Sequence, residues 1–359
     1  MEFGLFSHDE RNFKVAADAW DEDLYEIVAG DRLGFSEAWI TEHSTGPRPG
    51  IQPCADLFII KAATLTKQIR LGPGIHALPM FHPIQVATQI AVCDHLTRGR
   101  YMAGFGAGGE QGNTSGRLGL GDVSERYERL YEGLDLVLQC LTEKEPFDFD
   151  GQFWRCTDVQ INPKPYQQPR MPIGLACSRK GKTLAVAAEK GLFPLISFFD
   201  PPARLKEMAE VFTDAAQAVG RGPCRSEIRI PRYIHVSEKR TGGRDEVREA
   251  LTSQLERRKR SMGWQFKQLV PEDGSLADVT FDAMVDAGSI IVGDPDMVYE
   301  RIKDTYDEVG GFGVLLLMVG RDIGSRRQRV RSMKLFMEEV APRLASLNPD
   351  RERIPAMSS

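Results

Sequence analysis

Six consecutive residues, Ser178-Arg179-Lys180-Gly181-Lys182-Thr183, combine two hydroxyls, three cations and a glycine just before an amphipathic stretch. Unpaired N–H groups at a helix start, the helix dipole and nearby cations together make an anion site, with a phosphate the most natural guest. The same residues also suit a capped, basic, solvated helix start. His43, next to Glu42, is the candidate for acid–base work, because histidine has the side chain whose ordinary pKa lies nearest neutrality. The alternative for His43 is a rim histidine that only hydrogen-bonds. Glu42 points to the opposite strand face and could brace backbone or cofactor groups from within the wall. His76 reads as structural or substrate-facing, and His82, before Pro83, as setting loop geometry. No carboxylate stands at ligand spacing from this pair, so no metal is expected. The glycine-rich stretch 104–109 would let a ligand approach the backbone closely, or simply make a tight strand-to-helix turn. Phe6, Phe58, Phe81, Phe105, Phe198 and Phe199 suit the lining of a pocket for an apolar substrate, and equally suit an ordinary core.

Such scattered groups act together only if the fold gathers them. Short apolar runs at 3–6, 37–41, 69–75, 101–106, 173–176, 195–198, 228–236 and 314–318 alternate with longer amphipathic stretches. Helices are expected near 18–33, 54–66, 83–97, 124–142, 180–190, 202–219, 243–262, 295–309 and 324–340. Buried strands each followed by a helix predict a parallel sheet wrapped by helices, and eight such units predict a closed (β/α)8 TIM barrel of the α/β class. A Rossmann-like sheet is the runner-up, but SHDERNF after the first run lacks the glycines of its phosphate fingerprint. In a barrel the chemistry sits at the C-terminal strand ends, and the groups named above lie there.

The domain expected is a single barrel over 1–345, with insertions near 146–170 and 263–292. The first insertion reads as a hairpin around Asp150-Gly151 and the second as a long aperiodic loop or lid. Residues 346–359 read as a flexible tail. With 46 basic and 51 acidic residues, the chain carries no cationic face suited to nucleic acid or a membrane surface. The 6 cysteines form no CxxC pair, so they read as mostly buried, reduced thiols. The N-terminus lacks a signal-peptide layout and no apolar stretch could span a membrane, so a soluble cytoplasmic protein is expected.

Taken in order, several segments resemble the bacterial luciferase-like flavin-dependent monooxygenase family across almost the whole chain. The opening Met1–Phe6 is similar to the family's first strand, and Gly34-Phe35…Trp39…Glu42-His43 to its second-strand motif. Leu71 to Pro79 with His82-Pro83 is similar to the third-strand motif, and Asp94 to Arg100 to its D-x-x-S-x-GR. Gly191 to Ser197, Val292 to Pro295 and Ser332 to Phe336 match later strand and helix starts.

The resemblance implies that His43 is the catalytic histidine and that Glu42 lines the flavin pocket. It also implies a non-proline cis peptide at Gly74-Ile75 packed on the flavin ring, with Gly106, Ala107 and Ala176 along the same cofactor wall. Ser178 and Thr183 would hold the flavin phosphate, Ser197 would stand near the ring, and Arg126 matches an arginine opening the fourth helix. Two departures stand out. Gly106 and Ala107 replace a reactive cysteine and a phosphate-binding arginine, and Cys177 replaces a glutamate; Arg179, Lys180 or Lys182 could supply the missing cation. The implied activity is two-component oxygenation, with reduced FMN from a separate NAD(P)H:flavin reductase and O2. The implied substrate is small and largely apolar (terpene, ketone, aldehyde or similar), taken by Phe6, Phe58, His76, Phe81, Phe198 and Phe199, and a homodimer is expected. A deazaflavin-dependent hydride-transfer enzyme and a non-catalytic flavin-binding protein are the alternatives.

Overall fold

A computed structural model describes residues 1–11, 15–43, 52–108, 125–178, 181–196, 198–239, 242–263, 266, 269–271, 273–321 and 323–350. The first strand, β1 (Glu2–Glu10), pairs in parallel with β2 (Glu37–Ile40) on one side and with the last strand, β12 (Val314–Arg321), on the other. From β2 the sheet runs to β3 (Arg70–Pro73), and from β12 through β10 (Arg229–Val236), β9 (Phe193–Ile196) and β8 (Ile173–Cys177) to β5 (Ala103–Gly106). A parallel bridge between Leu71 and Tyr101 joins β3 to β5 and closes the ring. The short β4 (His76–Ala77) continues β3 past a kink and pairs with β5. The barrel expected from eight alternating units is the fold found.

Strand alternation sorts the side chains. Phe6, Trp39, Met102, Phe193, Tyr233, Leu316 and Met318 belong to one buried cluster in the lumen and its mouth, while Leu5, Ile40, Leu71, Phe105 and Leu175 pack outward against the helices. Near the barrel floor, Glu37 accepts a bond from Trp39 Nε1 at 2.9 Å and pairs with Arg229 at 3.4 Å, so this buried carboxylate is partnered as burial requires.

Helices follow most strands: α1 (Ala16–Leu33), α2 (Ala55–Leu65), α3 (Pro83–Leu96), α4 (Arg126–Thr142), α5 (Lys182–Glu189), α6 (Pro202–Ala218) and α7 (Gly242–Met262). Helix α9 (Pro295–Val309) shows why sequence places such helices well. Its cap Asp294 accepts from Met297 N at 2.8 Å, Pro295 starts the helix, and Gly310 ends it at φ 77°. Between these, α9 (Pro295–Val309) buries Val298, Ile302, Thr305, Tyr306 and Val309 along one face. The final helical stretch begins with α10 (Arg326–Leu335).

Two expectations need correcting. Residues 263–292 are not one loop. Thr280 caps the short helix α8 (Phe281–Asp286), which buries Phe281, Met284 and Val285, and Ile290–Gly293 forms strand β11 paired in parallel with Tyr233–Val236 of β10. Six helical residues and four strand residues are too short to display a period, which is why the pattern was invisible. The tail is anchored as far as Asp350, whose carboxylate accepts Arg225 N at 2.8 Å, while the Met1 ammonium donates to the carbonyls of Ala345 and Leu347 at 3.0 and 2.6 Å. The hairpin at 146–170 consists of β6 (Phe147–Asp150) and β7 (Arg155–Val159), antiparallel.

β10 changes partners midway. Arg229–Arg232 pair with Val314–Leu317 of β12, but Tyr233–Val236 pair with β11. β12 meanwhile stays on β1 as far as Arg321. Above Leu317 the two strands therefore part, and about 540 Å³ of space, partly open to solvent, lies there among Tyr233, His235, Leu251, Met318, Arg321 and Ser332. Ser332 of α10 takes over one strand donor, accepting from Val236 N at 2.8 Å.

Candidate functional site at the C-terminal strand ends

Candidate cofactor residues on β3/β4, β5 and β8 meet where Ile75, Gly106 and Ala176 pack together. Glu42 turns its carboxylate toward α2 and His76, and strand parity carried past the end of β2 would set His43 on the opposite, luminal side. His43 is half-buried, and its backbone N–H donates to Gln52 O at 2.9 Å. Gly74 packs against Thr41, so closely that a Cβ there would stand 3.0 Å from Thr41 Cα. A Cβ on Gly106 would stand 2.7 Å from Ile75 Cδ1 and 3.5 Å from Ala176 Cβ, so Ile75, Gly106 and Ala176 pack together as one wall. Ala107 follows, buried. The Gly74-Ile75 peptide is a correction. Among the described residues the cis bonds are Asn162-Pro163 and Gln168-Pro169, so the 74–75 bond is trans, the form favoured by about 3 kcal/mol before a non-proline residue.

Behind this wall lies a buried polar network that the sequence reading only half anticipated. His76 is not directed at the lumen. Its Nε2 lies 3.3 Å from Asp56 Oδ2 and its Nδ1 3.7 Å from Glu42 Oε1. Asp56 also accepts from Tyr101 Oη at 2.6 Å and Gln89 Nε2 at 2.6 Å. Glu42 accepts from Ala55 N at 2.9 Å, satisfying an orphan N–H at the start of α2. Burial opposes charge on His76, but hydrogen bonds and charge from Asp56 and Glu42 outweigh it and hold the ring up to about 10. His76 is therefore an imidazolium at neutral pH, clasped by two carboxylates. Asp56, Tyr101 and Gln89 were missed. Asp56 reads in sequence as one more acid in a first helical turn, and only the tertiary fold sets it against β4.

The expected anion site takes shape around α5. Gly181 at its cap offers no side chain to the first-turn N–H groups, and Ser178 just before it is exposed. Thr183 Oγ1 lies 2.9 Å from Tyr131 Oη of α4, and Lys182 Nζ lies over the Tyr131 ring at 4.9 Å. Arg126 opens α4 and stacks on Tyr127 at 5.2 Å. The Thr183 hydroxyl, the first-turn N–H groups and the Lys182 cation thus lie at one helix start, a donor set that fits a flavin phosphate. Arg179, Lys180 and Ser197 lie outside the described residues. Cys177, where the family resemblance has a glutamate, is buried, and burial pushes its thiol well up, so it is no thiolate nucleophile.

The phenylalanines divide. Phe6, Phe198 and Phe199 join the cluster at the mouth, with Phe6 and Phe198 centroids 6.5 Å apart. Phe58 is buried in the outer layer between barrel and helices, because it lies on the inward face of α2, and Phe105 packs there too by strand parity. Phe81 is exposed before α3. His82 sets local geometry, its Nδ1 accepting from Ile84 N at 3.3 Å.

Comparison with known proteins agrees with this geometry. The family described as luciferase-like monooxygenase matches residues 1–311. Limonene 1,2-monooxygenase of Rhodococcus erythropolis is 28% identical over 95% of this chain and 86% of its own length. 4-Hydroxyprotoasukamycin monooxygenase of Streptomyces nodosus subsp. asukaensis is 30% identical over 87% of this chain and 84% of its own. The solved oxygenating constituent of 3,6-diketocamphane monooxygenase from Pseudomonas putida, a type II Baeyer-Villiger enzyme in complex with FMN, superposes with a TM-score of 0.82. It is 25% identical and covers 95% of this chain and 98% of its own.

Proposed function

Because the chain belongs to the luciferase-like monooxygenase family, we propose that it is the oxygenase component of a two-component system, inserting an oxygen atom from O2 into a small organic substrate with reduced FMN. The observation that carries this reading is the convergence of His43, the Ile75–Gly106–Ala176 wall and the Ser178/Thr183 rim on adjacent strand ends. FMN, when bound, supplies the two electrons and the O2 chemistry that no side chain can. Ser178, Thr183 and the first N–H groups of α5 would hold its phosphate, with Lys182 and Arg126 supplying positive charge. Gly74, Ile75, Gly106 and Ala176 would take the ring. His43 holds or moves a proton at its imidazole, on the luminal side of β2. Glu42 does not face the lumen; it fixes α2 and His76, and through its neighbouring backbone the stance of His43.

Phe266, from the 263–292 segment, is buried 4.6 Å from Phe199 and helps exclude water from the mouth. A separate reductase is part of this reading, since no pyridine-nucleotide fingerprint follows the first strand. So is a homodimer: α2 exposes Leu57 and Leu65, α3 exposes Val92 and Leu96, and Phe81 before α3 is exposed too, apolar surface that a second copy would cover.

The test is oxygen uptake with supplied reduced FMN against aldehydes, cyclic ketones, terpenes and phenols. Substrate-dependent oxygen incorporation is expected, and His43→Ala should keep FMN binding while losing a hundredfold or more of product formation. Wild-type product rates in that variant would remove His43 from the chemistry. Turnover without oxygen would point instead to deazaflavin hydride transfer, and FMN binding without oxygen use to a non-catalytic flavin carrier.

A further inference from the structure

Tyr131 of α4 contacts two groups at the start of α5 at once. Its Oη lies 2.9 Å from Thr183 Oγ1, and Lys182 Nζ lies 4.9 Å from the centroid of its ring. Among the described residues the Thr183 hydroxyl has no other partner, and no carboxylate pairs with the Lys182 ammonium. Thr183 is half-buried and Lys182 exposed, so a ligand can reach both from solvent.

The direction of the hydroxyl pair follows from acidity. A phenol is more acidic than an aliphatic alcohol and is the better donor, so Tyr131 donates and Thr183 accepts. The Thr183 hydrogen is then turned away from α4, with no acceptor among the described residues. An unpaired hydroxyl rotates to suit whichever partner arrives, whereas this rotor is set in advance. The ring face acts similarly on Lys182, whose flexible four-carbon stem would otherwise let its charge range widely. A donor ordered before an anion binds adds no ordering cost to the binding step.

We propose that Tyr131 is a positioning residue for the cofactor phosphate: its hydroxyl fixes Thr183 as a donor to that phosphate, and its ring seats the Lys182 charge beside it. The proposal rests on the reading that the FMN phosphate lies at the start of α5. A tyrosine that merely joined two helices would leave the phosphate indifferent to it. Asp135, one turn further along α4, also pairs with Lys190 just past α5, and loss of the Tyr131 hydroxyl leaves that connection intact.

The test titrates oxidised FMN and riboflavin, which lacks the phosphate, against full-length wild type, Tyr131→Phe, Thr183→Val and the double variant. The wild type should bind FMN at least about tenfold tighter than riboflavin, the step expected from charge-assisted bonds. Tyr131→Phe keeps the ring beside Lys182 and removes only the hydroxyl. It should weaken FMN about three- to tenfold and riboflavin by less than about twofold. Thr183→Val should weaken FMN about tenfold or more. With Thr183→Val already present, Tyr131→Phe should change FMN affinity by less than about twofold, because the hydroxyl it orients is gone. Tyr131→Leu, which also unseats Lys182, should cost FMN more than Tyr131→Phe does. Retained riboflavin binding shows that each variant has folded. Equal losses for FMN and riboflavin in Tyr131→Phe, no loss for either, or a loss that persists in full beside Thr183→Val overturns the proposal while leaving the phosphate at α5. A wild type without preference for FMN, or a Thr183→Val variant that keeps the whole preference, takes the phosphate away from α5, and the proposal falls together with the reading beneath it.

Discussion

Replacing His76 with glutamine probes the buried network directly. In the wild type the ring stands between Asp56 at 3.3 Å and Glu42 at 3.7 Å, and it is held from an ordinary 6.5 up to about 10. A folded value above the unfolded one means that the native state binds the proton more tightly. The stabilisation is therefore complete below about pH 6.5 and drains away as pH rises through about 10. At 1.36 kcal/mol per tenfold change in proton affinity, the full term is about 5 kcal/mol, of which about 3 is lost between roughly pH 7 and 9.5. That is a large fraction of a typical net stability of about 5–15 kcal/mol. His76→Gln leaves two buried carboxylates facing each other without their cation, so at neutral pH it should cost about 3–5 kcal/mol. The discriminating measurement is urea unfolding of both proteins at several pH values. The wild-type curve should fall by about 3 kcal/mol more than the variant's across that alkaline window. Parallel curves would refute the claim that His76 is a clasped imidazolium.

Two further outcomes follow from the site. Arg179→Ala should weaken FMN binding roughly tenfold to a hundredfold while riboflavin, lacking the phosphate, binds as before; equal losses for both ligands would place the phosphate elsewhere. Limited proteolysis within 265–290 should leave a folded barrel that releases more hydrogen peroxide per product formed, since Phe266 no longer seals the mouth; an unchanged ratio would remove this segment's shielding role.

The barrel was legible because its strands and helices repeat a pattern that each unit displays alone: an apolar run, a turn, an amphipathic helix. Strand parity likewise turns Glu42 away from the lumen in sequence, and its carboxylate is found against α2 and His76. What stayed hidden was whatever depends on distant partners. β11 is four residues long, and nothing in Ile290–Gly293 says that it will take over the upper half of β10. His76 reads as structural or substrate-facing because sequence cannot show that Asp56, on α2, lies 3.3 Å from it.

The change of partners along β10 has a mechanical consequence. In a closed ring each strand is gripped from both sides, so widening the ring at any seam ordinarily breaks a ladder of backbone bonds. Above Leu317 the seam between β10 and β12 holds no such ladder; it is bridged by Val236 N to Ser332 Oγ and by side chains. The ring is thus a clasp rather than a hoop, laddered along β1, β2 and β12 but without a backbone ladder in the upper part of this seam. Displacement of α10 would widen it there while the strand ends that carry His43 and Gly106 kept their register.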